Sequence, residues 1–240
     1  MDMKTYTFLL GLLLTVVSCG KDDGTGFTIK GNVKNCGEWG DCGHVILIMN
    51  NGEKLIADTA NVVNGRFLLT GHIPNPDFAS MYPIQSDKDR PKGQIIFFLE
   101  NEKYSVKIKD GRFSEQTLKG GSSQEKFREL SEHQRILDKK YSIQSIDRQL
   151  NTTSTPPYRM EALKKIRHEY DSVLKAYKDS LILANTPSYF SLYMTSIEVA
   201  GGGNIDSIRA ALEVYLKDDR FKDNPTLKNL IEITKEKRRP

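Results

Sequence analysis

The spacing of apolar residues changes near residue 121, and that change constrains the fold more than any motif does. Before it, apolar side chains recur at every second position in short runs. Phe27-Thr28-Ile29-Lys30-Gly31-Asn32-Val33 is one such run, and the stretch from His44 to Met49 is a compact β-branched one. Asn51-Gly52, Asn64-Gly65 and Asp110-Gly111 stand between runs, and these pairs accept the positive φ angles that tight turns need. The same pattern predicts strands over residues 55–60, 66–70, 81–85, 95–99, 104–109 and 113–118. Short strands so spaced fold as an antiparallel sandwich or a partly open barrel.

After residue 121 the period is that of a helix. Leu163, Ile166, Tyr170, Val173, Tyr177, Leu181 and Ala184 step by three and four, an amphipathic stripe. Phe127, Leu130, Leu137 and Tyr141 keep the same step upstream, interrupted by Gln134. The loop over residues 151–157 is short enough to make these two segments an antiparallel helical hairpin. Ser188 can cap a further helix, Gly201-Gly202-Gly203 breaks the chain ahead of a helix at 205–217, and Asn224-Pro225 opens the last one. The fold class expected is therefore α+β: an N-terminal antiparallel β-sandwich-like domain over 27–121, then an α-helical domain over 122–240 that contains the hairpin.

Charge narrows the function classes. Residues 19–121 carry Lys+Arg 13 and Asp+Glu 13, whereas residues 122–240 carry 21 and 17, so the whole surplus of +4 sits in the second half. That surplus is too small to indicate a nucleic-acid partner. Hydrophobic residues at 38% suffice for a core. His44, His72, His133 and His168 share no ligand spacing, so neither a metal nor a cofactor is expected. The loop over residues 87–93 mixes cations with its two aspartates and reads as a solvated turn. Gly201-Gly202-Gly203-Asn204 lacks the lysine of a phosphate loop, and the carboxylates show no acid–base pair in the sequence. The chain is accordingly expected to have no catalytic residue and not to be an enzyme; a hydrolase assembled from dispersed acids is the remote alternative.

The N-terminus reads as an address. Residues 1–18 place Lys4 before the apolar run Phe8 to Val17, too short for a permanent membrane span. Val16-Val17-Ser18-Cys19 resembles the lipobox of bacterial lipoproteins, which implies acylation of Cys19 and a membrane partner through that anchor. Residues 19–26 then form a flexible tether. Within it, Lys21-Asp22-Asp23 resembles the export signal of Bacteroidota surface lipoproteins, so the expected location is the outer membrane, facing the cell exterior, with the periplasmic face as the alternative. In that oxidising compartment Cys36 and Cys42, read as flanking the tip of a first hairpin, are expected to form a disulfide, worth about 2–3 kcal/mol at most for so short a loop. Trp39, between them, is the candidate binding residue. Asp58-Thr59-Ala60 resembles the O-glycosylation motif of Bacteroidota exported proteins, which marks Thr59 as a possible acceptor.

Taken in order, Phe27-x-Ile29-x-Gly31-x-Val33, Val45-Ile46-Leu47, Asn64-Gly65-Arg66-Phe67-x-x-x-Gly71, Ile95-Ile96-Phe97-Phe98-Leu99-Glu100 and Leu118-Lys119-Gly120-Gly121-Ser122 resemble a Bacteroidota domain of unknown function, number 4369. That domain stands N-terminal to thioredoxin-like AhpC/TSA domains. The sequence holds no Cys-x-x-Cys, so the resemblance implies the accessory module without the redox site. The expected function is an envelope lipoprotein acting as a binding or assembly module for an unknown protein or glycan partner. The alternative is an accessory subunit that docks a separate thioredoxin-like oxidoreductase.

Overall fold

The computed structural model describes residues 26–34, 43–50, 54–84, 93–109, 112–153, 155–202 and 205–236. Among them, eight strands form two four-stranded sheets, and six α-helices follow, an α+β arrangement with the β-rich part first. The first sheet contains β1 (Phe27–Val33), β4 (Arg66–Gly71), β7 (Lys103–Lys109) and β8 (Arg112–Gly120), in the order β4-β1-β7-β8. The second contains β2 (His44–Asn50), β3 (Leu55–Asn61), β5 (Asp77–Ile84) and β6 (Ile95–Leu99), in the order β3-β2-β5-β6. Alternate residues of each strand turn inward. Ile29, Leu69 and Val106 from one sheet meet Leu47, Met81 and Phe97 from the other in a single buried cluster. At Gly31 the alternation calls for an inward side chain, but the Phe67 ring occupies that space. A Cβ on Gly31 would lie 1.9 Å from it, so only glycine fits.

Three features differ from the sequence expectation. β1 pairs antiparallel with β4 but parallel with β7, so the sandwich is mixed. With both edges of β1 taken, β2 goes to the opposite sheet and the two do not form a hairpin. The Cys36–Cys42 stretch thus joins two sheets instead of tipping a hairpin; Cys36, Trp39 and Cys42 themselves lie outside the described residues, as do the signal segment, Cys19 and the rest of the tether through residue 25. Asn64 (φ 51°) and Gly65 (φ 71°) likewise carry the chain between sheets, closed by reciprocal bonds between Val63 and Arg66. Finally, β5 begins at Asp77, ahead of the expected start, and includes Pro83, which pairs with Val45 of β2 and lies beyond the last described pair with β6.

The helices are α1 (Ser122–Tyr141), α2 (Ile143–Leu150), α3 (Pro157–Ala184), α4 (Tyr189–Ala200), α5 (Ile205–Leu216) and α6 (Pro225–Glu236). α1 and α3 form the antiparallel hairpin. Tyr141, Asp138 and Glu129 of α1 bond Glu169, Tyr170 and Tyr177 of α3, with one numbering rising as the other falls. The sequence did not foretell α2 as a separate helix. Ser142 adopts the left-handed conformation (φ 53°), which ends α1 and redirects the chain so that Ile143 and Ile146 reach Leu137, Leu163 and Tyr170. α4 starts in a capping box between Ser188 and Ser191, and Asn224 caps α6 by accepting the Leu227 N–H at 3.1 Å. Leu192, Leu212, Tyr215, Phe221, Leu227 and Leu230 build the core shared by α4, α5 and α6. No helix among the described residues is long and apolar enough to cross a membrane.

Candidate functional site

The candidate site forms where the sheets end and α1 begins. A helix leaves its first N–H groups without intrahelical partners, and the residue at the cap of α1 is Gly121, which has no side chain to accept them. Gly121 is required there on two counts: its φ is 78°, and a Cβ would lie 2.4 Å from the Tyr104 ring. The missing acceptors come from the β6–β7 loop. Ser122 donates its N–H to Glu102 Oε2 at 2.9 Å and its hydroxyl to Oε1 at 2.7 Å. Ser123 does the same to Glu100, N–H to Oε2 at 2.7 Å and hydroxyl to Oε1 at 2.9 Å. Two carboxylates therefore sit at the positive end of the α1 dipole.

The Ser123 hydroxyl also accepts. The N–H of Phe190, in the first turn of α4, reaches it at 3.0 Å. One buried relay thus links a sheet loop, the start of α1 and the start of α4. Glu100 is only 6% exposed and Ser123 2%. Burial raises the Glu100 pKa above the ordinary carboxylate value, outweighing the two bonds from Ser123 that favour its ionised form, and the like charge of Glu102 adds to the rise. The loop itself is braced. Tyr104 accepts the Glu100 N–H at 2.7 Å and donates to the Phe98 carbonyl at 3.2 Å; Asn101 bonds both the N–H and the carbonyl of Ile73. Burial drives the Tyr104 hydroxyl well up from its usual value, so it stays a donor.

An aromatic cluster stands beside the relay. Phe78 and Phe98, on the outward side of the second sheet, meet Phe127 of α1 and Tyr193 of α4, and Phe127 meets Phe190 edge-on at 4.9 Å. Between the domains lies a cleft of about 320 Å³, walled by Glu100, Glu102 and Pro74 on one side and by Ser188, Tyr189 and Arg220 on the other. The Arg220 guanidinium is held by Asp218 at 2.6 Å. Carboxylate acceptors and a guanidinium donor face one space, which suits a small group with both donors and acceptors.

Of the residues proposed from the sequence only Thr59 is among the described ones, and it does not line this cleft. Thr59 is exposed within β3, paired with Ile46, and its N–H bonds the Asp58 side chain at 2.8 Å. Glu100, Glu102, Ser123 and Arg220 were not foreseen. The carboxylates that looked dispersed include two brought together at one helix start. A signal for them existed: the family-like motifs end in Leu99-Glu100 and in Gly120-Gly121-Ser122, the two segments that meet at the joint.

Residues 27–127 match the family described as Domain of unknown function (DUF4369), a span that takes in both sheets and the joint as far as the first turns of α1. Comparison with curated proteins and with solved structures gave no match.

Proposed function

We propose that this chain, whose residues 27–127 are a DUF4369 domain, is a lipoprotein anchored through Cys19 to the bacterial outer membrane and displayed at the cell surface, where it works as a non-enzymatic binding or assembly module. The observation that carries this reading is the relay from Glu100 through Ser123 to Phe190. It commits both oxygens of the buried carboxylate to holding the domains together, so the cleft between them has fixed walls. A cleft pre-formed in this way favours recognition, because little ordering entropy is lost on binding. Its mixed lining suits a polar ligand or a polar side chain of a partner.

Two measurements test the reading in sequence. A clickable palmitate analogue should label the wild-type protein in cells and leave Cys19→Ala unlabelled; an unlabelled wild type would remove the anchor. Thermal-shift screening of polar small molecules against the mature chain should then find ligands whose effect Arg220→Ala abolishes. Turnover of a screened compound would replace the binding reading with an enzymatic one. Cross-linking in intact envelope that captures a thioredoxin-like oxidoreductase would make the module a redox accessory.

A further inference from the structure

The β domain is close to balanced by composition, with Lys+Arg 12 against Asp+Glu 11 over residues 27–121, yet the fold sorts its charges onto faces. In the sheet β4-β1-β7-β8, inward positions are Ile29, Leu69, Val106 and their neighbours, so the intervening residues all point to the other side. Those residues include Lys30 on β1, Arg66 on β4, Lys103, Lys107 and Lys109 on β7, and Lys119 on β8, every one of them exposed. Register sets them close together. Thr28 pairs with Lys103, Lys30 with Ser105, Asn32 with both Arg66 and Lys107, and Ser105 with Lys119. The described carboxylate side chains of the domain, Asp58, Asp77, Glu100 and Glu102, belong to the other sheet or to the joint.

We infer that this face is a docking surface for an anionic lipid bilayer. Three observations select that occupant, and the second rests on the proposed anchor at Cys19. First, the face is broad and bears regularly spaced cations: four strands span about 15 Å, a shape that complements a plane of headgroup phosphates. Second, β1 lies inside this sheet, and Phe27 is only eight residue steps after Cys19, a contour of at most about 29 Å, so an acylated Cys19 would hold the sheet within reach of the membrane. Third, Leu68 stands 56% exposed among the cations, directly opposite Lys30, an apolar group placed to enter the headgroup region. A single short anchor combined with a basic patch is a stable two-signal arrangement. The helices pack on the outward side of the opposite sheet, through Phe78 and Phe98, so docking this face directs the joint cleft and the helical hairpin away from the bilayer.

The test uses the mature chain from residue 19 with Cys19→Ser, which removes acylation and so separates this inference from the anchor, itself read by the palmitate label. The chain should co-sediment with vesicles of phosphatidylcholine plus phosphatidylglycerol, not with phosphatidylcholine alone, and added salt should release it. Each lysine neutralised near an anionic surface lowers partitioning roughly five-fold, so Lys30→Gln/Lys107→Gln/Lys119→Gln should lower it about a hundred-fold. Arg159→Gln/Lys164→Gln/Lys165→Gln on α3, the same change in net charge, should leave binding within about two-fold of the parent, and circular dichroism should show both variants folded. Equal loss in the two triple variants, equal binding to neutral vesicles, or retention only by an acidic polysaccharide would each overturn the inference.

Discussion

The two ends of α1 are held by different physics. At its start, the buried Glu100 accepts from Ser123 and the half-buried Glu102 from Ser122, and a five-ring aromatic cluster stands beside them. At its far end, a smaller apolar cluster of Leu137, Ile146, Leu163 and Tyr170 is ringed by exposed ion pairs such as Arg167 with Asp147 and Asp171. The same residue type behaves oppositely at the start of α1 and on its exposed middle turns. Burial raises the Glu100 pKa, whereas the Lys126 and Arg135 side chains, bonding Glu129 and Glu132 respectively, lower theirs. The joint therefore depends on interactions that water cannot replace, and the hairpin on ones that water nearly can.

The largest effect should follow from emptying the joint. Phe190 is fully buried and supplies both a ring to the cluster and an N–H to Ser123. Phe190→Ala should destabilise the protein by about 3–5 kcal/mol in urea unfolding. Ile146→Ala, at the far end, should cost about 2 kcal/mol, because α2 is short and can settle into the space. If the Ile146 variant proves the weaker of the two, the contrast between the ends fails.

Next comes the buried carboxylate. Glu100→Ala leaves the Ser123 N–H and hydroxyl without acceptors and should cost about 2–4 kcal/mol; Glu100→Gln keeps the shape and one acceptor and should cost about 1 kcal/mol near neutral pH. Its pH dependence sharpens the comparison. Because the folded-state pKa of Glu100 lies above its unfolded value, the folded protein binds the proton more tightly between the two, and this group's contribution to stability falls as pH rises through that window. Glu129 and Glu132 have the reverse sign: their contribution is present above the unfolded carboxylate pKa and is lost as pH falls through the lowered folded values. Wild type should therefore gain on Glu100→Gln as the pH is lowered from about 7 to about 4. A constant difference across that range would show that Glu100 titrates as an exposed acid does.

Much of this was legible in the sequence. The switch from period two to period 3.6 marks the change from sheet to helix at Gly120 and Ser122, and Ser188 and Asn224 cap the helices they precede. What periodicity does not encode is which strand lies beside which. β1 and β2 are neighbours in the chain but sit in opposite sheets, and β1 takes β7 as a parallel partner across a long separation. The joint was hidden for the same reason. Glu100 and Ser123 lie 23 residues apart, and Ser123 and Phe190 lie 67 apart, so the polar contacts that define the site have no local signature. The basic face was hidden by cancellation: equal counts of acids and bases over residues 19–121 gave no sign that β1, β4, β7 and β8 gather cations on one side.

The smallest effect is expected at the hairpin's most elaborate ion pair. Arg167 bonds Asp147 and both oxygens of Asp171 and lies over the Tyr170 ring, 5.4 Å from its centre, yet all three charged partners are at least a third exposed. Solvent competes for each of these contacts, and salt screens them. Arg167→Ala should therefore cost no more than about 1 kcal/mol in urea unfolding, most of it gone at high salt. Tyr170→Phe separates the neighbouring contact: its hydroxyl donates to Asp138 at 2.5 Å, and its pKa is pushed up to about 12, first by burial and then by that bond, so the loss should be comparable and insensitive to salt. A salt-resistant loss above about 2 kcal/mol from Arg167→Ala would mean that the hairpin, like the joint, is held by charges shielded from water, and the distinction between the two ends of α1 would collapse.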